Sequence, residues 1–158
     1  MRVGITGHRG LPERSAALVR SELRAIVGDY RAAELTGVSC VADGPDAWFA
    51  QAVLDHGGRL EVVIPAEDYR GVLPRWHDAV YDSLVGRASE VHATGFSESD
   101  DPAYMAASEI LVGLVDEVIA VWDGRPARGY GGTADVVRYA ESVGVAVRIV
   151  WPEGATRD

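Results

Sequence analysis

Short apolar runs rich in β-branched residues alternate along this chain with stretches whose apolar positions fall three and four apart. That alternation is expected of βαβ units feeding a parallel sheet covered on both faces. The runs predict strands near residues 2 to 6, 33 to 40, 59 to 64, 89 to 94, 117 to 122 and 145 to 151. Pro12 suits the opening turn of a first helix with the buried stripe Ala17, Leu18, Leu23, Ile26 and Val27, ending at Gly28. A second helix begins after Pro45, turns Trp48, Phe49, Ala52 and Val53 inward, and stops at Gly57-Gly58. A third covers about 73 to 85 with Trp76, Val80, Tyr81 and Leu84. A fourth runs from about 103 to 115 behind the turn signal of residues 97 to 102, with the Asp100 region as its cap. The last runs from Thr133 to Val143 and is stopped by Gly144. No internal repeat or low-complexity linker interrupts the series, so 158 residues are expected to form one Rossmann-like α/β domain, residues 1 to 158. Its three layers hold a mostly parallel sheet of about six strands with helices on both faces.

Composition narrows the partners. A formal net charge of -9 makes nucleic acid an unlikely partner and argues against an anionic membrane, since both attract clustered cations. Cys40 is the only cysteine, which excludes an intrachain disulfide framework and a thiolate zinc site and fits a reducing cytoplasm. No uncharged apolar run approaches the length that spans a bilayer, and no signal-peptide pattern precedes the first strand. His56, His77 and His92 lack metal-ligand spacing, so no metal is expected, and no cofactor either. There is no Gly-x-Gly-x-x-Gly, Walker A, Gly-x-Ser-x-Gly or zinc signature, which weakens redox, nucleotide-triphosphatase, serine-hydrolase and metalloenzyme readings.

In open parallel sheets, ligands bind outside the carboxyl ends of the strands. Three strand ends carry unusual residues. Gly129, Gly131 and Gly132 precede the last helix, where the absence of side chains lets an anion reach outward-pointing backbone amides. Thr133 is expected both to cap that helix and to donate its hydroxyl to a phosphate. Gly124, Arg125 and Arg128 extend this loop. After the first strand, Thr6, Gly7, His8 and Arg9 form a second small-residue turn in which Arg9 can clamp a phosphate. After the second strand, Asp43, Gly44 and Asp46 open a helix. The carboxylates there either serve the helix dipole or meet ribose hydroxyls. Asp123 and Asp135 bracket the glycine loop and are the candidate catalytic carboxylates, although a first-turn position explains Asp135 by the dipole alone.

Taken together, Gly-Ile-Thr-Gly-His-Arg (4 to 9), Ala-Asp-Gly-Pro-Asp (42 to 46), Ala-Tyr (103 to 104), Ile-Ala-Val-Trp-Asp-Gly (119 to 124) and Gly-Gly-Thr (131 to 133) resemble the SLOG superfamily across nearly the whole chain. That superfamily includes the Lonely Guy or lysine-decarboxylase-like phosphoribohydrolases and the DNA-processing protein A family. The resemblance implies a Rossmannoid domain that binds nucleotides or their derivatives, with Gly131, Gly132 and Thr133 at the phosphate and the Thr6 to Arg9 turn beside it. It also implies, for the phosphoribohydrolases, a Pro-Gly-Gly-x-Gly-Thr-x-Glu-Glu motif and an arginine on the preceding helix. Here Ala134, Asp135 and Val136 follow the glycines, and Tyr104 to Glu109 contains no arginine.

The expectation is therefore a sensor or binding module for a phosphate-bearing nucleotide or nucleotide-derived ligand. The alternatives are an N-glycoside hydrolase of nucleoside 5'-monophosphates and a protein-interaction domain without ligand. A homodimer is also expected, because Ile110, Leu111, Val112, Leu114 and Val115 offer more apolar surface than a one-faced helix needs.

Overall fold

The computed structural model describes residues 1–126 and 132–157. Six strands form one all-parallel sheet: β1 (Arg2–Gly7), β2 (Thr36–Ser39), β3 (Arg59–Ile64), β4 (Glu90–Ala93), β5 (Glu117–Val121) and β6 (Ala146–Val150). Their spatial order is β4-β3-β2-β1-β5-β6. The helices are α1 (Glu13–Gly28), α2 (Pro45–His56), α3 (Tyr69–Val72), α4 (Asp78–Gly86), α5 (Asp101–Leu114) and α6 (Thr133–Ser142).

Alternation along each strand sends successive side chains to opposite faces. Val3 and Ile5 of β1, with Ile119 and Val121 of β5, pack against Val19, Leu23 and Ile26 of α1 and Phe49 and Val53 of α2. Leu60 and Val62 extend that face toward Tyr81 and Leu84 of α4. On the other face, Val38, Val63 and Val118 meet Ala107, Leu111 and Val112 of α5 and Val136 and Ala140 of α6. The result is a three-layer α/β sandwich whose parallel sheet is covered on both sides, as the apolar pattern predicts.

Local differences from the sequence reading have physical causes. The region predicted as one helix over 73 to 85 is broken, because the residue before a proline disfavours helical backbone. Leu73 is extended (φ -78°, ψ 157°) ahead of Pro74, and a 3₁₀ turn at Arg75–His77 then leads into α4. Trp76 and Val80 accordingly lie outside the core, at 74% and 42% exposure. The second strand starts at Thr36 rather than 33 because Ala32–Glu34 form a 3₁₀ turn. In α1 the buried stripe runs through Ser15 and Val19 while Ala17 is exposed. Ser15, a polar residue in an apolar stripe, accepts a hydrogen bond at Oγ from the backbone amide of Thr156, 2.7 Å away. In α5, Leu111 and Val112 are buried, while Ile110, Leu114 and, just past the helix end, Val115 are half-buried against the same core.

The topology positions the site. The chain winds outward from β1 through β2 and β3 to β4, crosses back through α5 to β5, and continues to β6. Connections therefore diverge at the carboxyl ends of the neighbouring strands β1 and β5, the switch point at which open α/β sheets form a crevice. Among the described residues, no helix is long and apolar enough to cross a membrane.

Candidate functional site

A cavity of about 340 Å³ opens at this switch point. Its floor is the end of β1, Ile5 through Arg9, and its walls come from the end of β2, the β3–α3 connection, α5 and the opening of α6. The β1 turn approaches closely because Gly7 lacks a side chain. A β-carbon there would stand 2.8 Å from Pro45 Cβ and 2.9 Å from Val121 Cβ.

Thr6, Gly7, His8, Arg9, Asp46, Gly132 and Thr133 all line the cavity. Sequence positions separated by more than 120 residues are thereby brought together. Gly132, with extended backbone (φ -72°, ψ 176°), is the N-cap of α6. Thr133 is therefore the first helical residue and not the cap expected for it; it is buried, and both it and Gly132 line the cavity. The first amides of a helix have no intrahelical acceptor and carry the positive end of its dipole.

His8 is 3% exposed and held from three sides. Its backbone amide donates to Val121 O at 3.2 Å, its Nε2 lies 3.2 Å from both Oδ1 and the backbone nitrogen of Asp123, and its ring meets Trp151 edge-on at 5.9 Å. Burial alone would raise the Asp123 carboxyl. The amide of Arg125, His8 and Arg157 together hold it below the usual carboxylate range. Asp123 is thus a brace behind the β1 turn and does not line the cavity. Asp135 does not line it either; its carboxylate lies 3.8 Å from Arg138 on α6.

Arg9 donates through Nε and Nη2 to Asp43 Oδ1, at 2.9 and 2.6 Å. Asp43 fixes the guanidinium from behind, and the arginine still borders the cavity. Gly44 (φ 98°) makes the turn between Asp43 and α2, a backbone conformation that favours glycine. Gly124 (φ 84°) likewise shapes an exposed turn away from the cavity. Arg128, Gly129 and Gly131 lie outside the described residues.

Asp46 differs from Asp43. It lines the cavity in the first turn of α2, yet no cation lies within ion-pair distance of its carboxyl among the described residues. Burial pushes that carboxyl up to about 7, against the opposing pull of the Ala42 backbone and Arg9 and with the help of Asp43.

The sequence reading missed several lining residues. Cys40 and Tyr69 stand near Asp46, and burial raises both the thiol and the phenol well above their usual values, so both are neutral. Tyr104, Asp101 and Ser108 come from α5. Tyr104 was signalled only by the Ala-Tyr pair of the motif set. Arg157 enters from the C-terminal segment, which the Thr156–Ser15 hydrogen bond ties to α1. No local pattern around Arg157 announces it.

No protein-family model matches the chain, and no curated protein is similar to it in sequence. Solved structures do match. DNA processing protein A from Streptococcus pneumoniae superposes with a TM-score of 0.66 at 21% identity over 94% of this chain, which spans 49% of the length of that protein. DNA processing protein A from Helicobacter pylori, solved for its single-stranded DNA binding mode, gives 0.71 at 15% identity over 99% of this chain and 68% of its own. The molybdenum cofactor carrier protein from Chlamydomonas reinhardtii gives 0.59 at 14% over 94% of this chain and 74% of its own. These structures share the three-layer α/β fold of this chain. The expectation that nucleic acid is an unlikely partner is corrected by the Helicobacter pylori structure, because this fold serves a protein with a single-stranded DNA binding mode. Net charge averages a whole surface, whereas a phosphate responds to the charges within a few ångströms of it.

Proposed function

We propose that this chain is a binding module whose switch-point cavity receives a phosphate-bearing nucleotide or nucleotide-derived ligand. One observation carries the reading: Arg9, Arg157 and the opening turn of α6 border the same cavity of about 340 Å³, which is also lined by Tyr69 and Tyr104. Free amides at a helix start and braced guanidinium groups are suited to phosphate oxygens. Aromatic rings offer a surface for a base. The volume is within the range of small-molecule sites.

Binding is preferred over N-glycoside cleavage because Asp123 is committed to His8, Arg157 and the Arg125 amide, and Asp135 lies off the cavity. A second reading takes the same groups as a seat for one nucleotide of a single strand, favoured by the fold shared with the DNA processing proteins.

Calorimetric titration with AMP, ADP-ribose and a short oligodeoxynucleotide tests both. Saturable binding of a mononucleotide or ADP-ribose is expected, with stabilisation of about 2.7 kcal/mol at a hundredfold excess over Kd, and with AMP recovered intact. Binding by the oligonucleotide alone selects the second reading. Failure of all three overturns both.

A further inference from the structure

The two carboxylates that flank Gly44-Pro45 have been given different partners. Asp43 takes both Nε and Nη2 of Arg9. Asp46, three residues on, faces the cavity with no ion pair and no side-chain hydrogen bond to another side chain among the described residues. None of its oxygens is a sealed, unsatisfied atom, since no such atom occurs among the described side chains. Asp46 accepts from the Ala42 backbone and lines the cavity.

The surroundings decide which form of the acid fits. From just past β2 comes the Cys40 thiol, from the β2–α2 turn the Ala42 backbone donor and the Asp43 carboxylate, from α3 the Tyr69 phenol, and from the β1 turn Arg9, already engaged. His8 of the β1 turn, whose Nε2 lies against Asp123, Tyr104 and Asp101 of α5, and Arg157 complete the charged and titratable lining. A carboxylate here would keep the Ala42 backbone donor, but it would sit beside another carboxylate and two neutral groups, with Arg9 already bonded to Asp43. An uncompensated charge in such a place is costly, and the neutral acid is the accommodated species. A protonated carboxyl has one O–H to donate, which a carboxylate lacks.

Resting on the nucleotide reading of the cavity, we propose that Asp46 enters the site as a neutral hydrogen-bond donor. It selects ligands that present an acceptor, a nucleobase ring nitrogen or carbonyl oxygen, to the Tyr69 side while their phosphate lies toward Arg9 and α6. The carboxyl, pushed up to about 7, then ties affinity to pH: the donor is present below that value and is lost as pH rises through it.

Two measurements test this on the full chain. In the first, the aspartate carboxyl carbons of the free protein are followed by NMR across pH, with Asp46→Asn to identify the resonance. One carboxyl titrating near neutrality and missing from the variant is expected; all aspartates titrating below about pH 5, the range of ordinary carboxyls, overturns the proposal whatever the ligand. The second titrates ADP-ribose, whose diphosphate has no ionisation in this range, at about pH 6 and pH 8. Affinity of the wild-type chain is expected to fall about tenfold between them, the change in a protonated fraction centred near neutrality. Asp46→Asn, which keeps a neutral donor, is expected to bind at both pH values with the low-pH wild-type affinity. Wild-type binding that is equal at the two pH values, or stronger at the higher, overturns the proposal and leaves the nucleotide site standing. No binding at either pH by ADP-ribose or AMP removes both.

Discussion

Gly7 illustrates how a single residue sets the site. With Pro45 and Val121 at 2.8 and 2.9 Å from the place a β-carbon would take, the β1 turn, the start of α2 and the end of β5 close on one another only because nothing projects there. Both neighbours are short and anchored, Val121 in the sheet and Pro45 in α2, so neither can swing away. Gly7→Ala is expected to destabilise the fold by about 1–3 kcal/mol through overpacking, read as a shift in the urea midpoint at unchanged slope; a stability equal to wild type contradicts the packing described. Much at this scale was legible beforehand. The small-residue turn Thr6 to Arg9 follows a β-branched run, and Asp46 opens a helix after a strand, so both announce themselves locally. Tyr69 and Arg157 do not, because each owes its place to a contact made far along the chain: the Thr156–Ser15 hydrogen bond for Arg157, and the packing of Tyr69 under Ala47 and Ala50 of α2. The bracketing of the glycine loop by Asp123 and Asp135 is plain in sequence, but only the fold reveals that Asp123 turns back onto His8.

Among the elements, α5 shows most clearly how local chemistry and topology cooperate. Asp100 caps it, its Oδ1 accepting from the Ala103 amide at 3.0 Å, and Pro102 sits in the first turn where its missing N–H is harmless. The cap holds the end of the helix that carries Asp101 and Tyr104 to the cavity. Asp100→Ala is expected to cost about 1 kcal/mol, measured by chemical denaturation, whereas Asp100→Asn, which keeps the capping oxygen, stays near wild type. Equal losses in the two variants would show that capping is not what the residue does. This start signal could be read from the turn-rich run before Ala103. The interruption between α3 and α4 was also written in the sequence, as Leu73-Pro74, but the helical spacing of Trp76, Val80 and Leu84 masked it. Periodicity reports faces, and a 3₁₀ turn between two short helices can preserve the spacing while rotating Trp76 and Val80 out to solvent.

At the scale of the whole molecule, strand order does what no single element could. Winding from β1 to β4 in one direction and then returning to β5 sets the turns after β1 and β5 side by side, with α6 starting above them. The alternation of apolar runs makes the parallel layers legible in sequence; the position of the crossover, and with it the pairing of β1 with β5, is a three-dimensional choice that local patterns do not encode. Ligand binding in the proposed function depends on that crevice presenting the first amides of α6 and the Arg9 guanidinium to a phosphate. Backbone amide spectra of the labelled protein, recorded while ADP-ribose is added, report on this directly. Progressive, saturable shifts are expected at His8, Arg9, Thr133 and Ala134, with the distant amides of β4 unmoved; unchanged spectra at these four residues, or shifts confined to another face of the sheet, would contradict a phosphate site here.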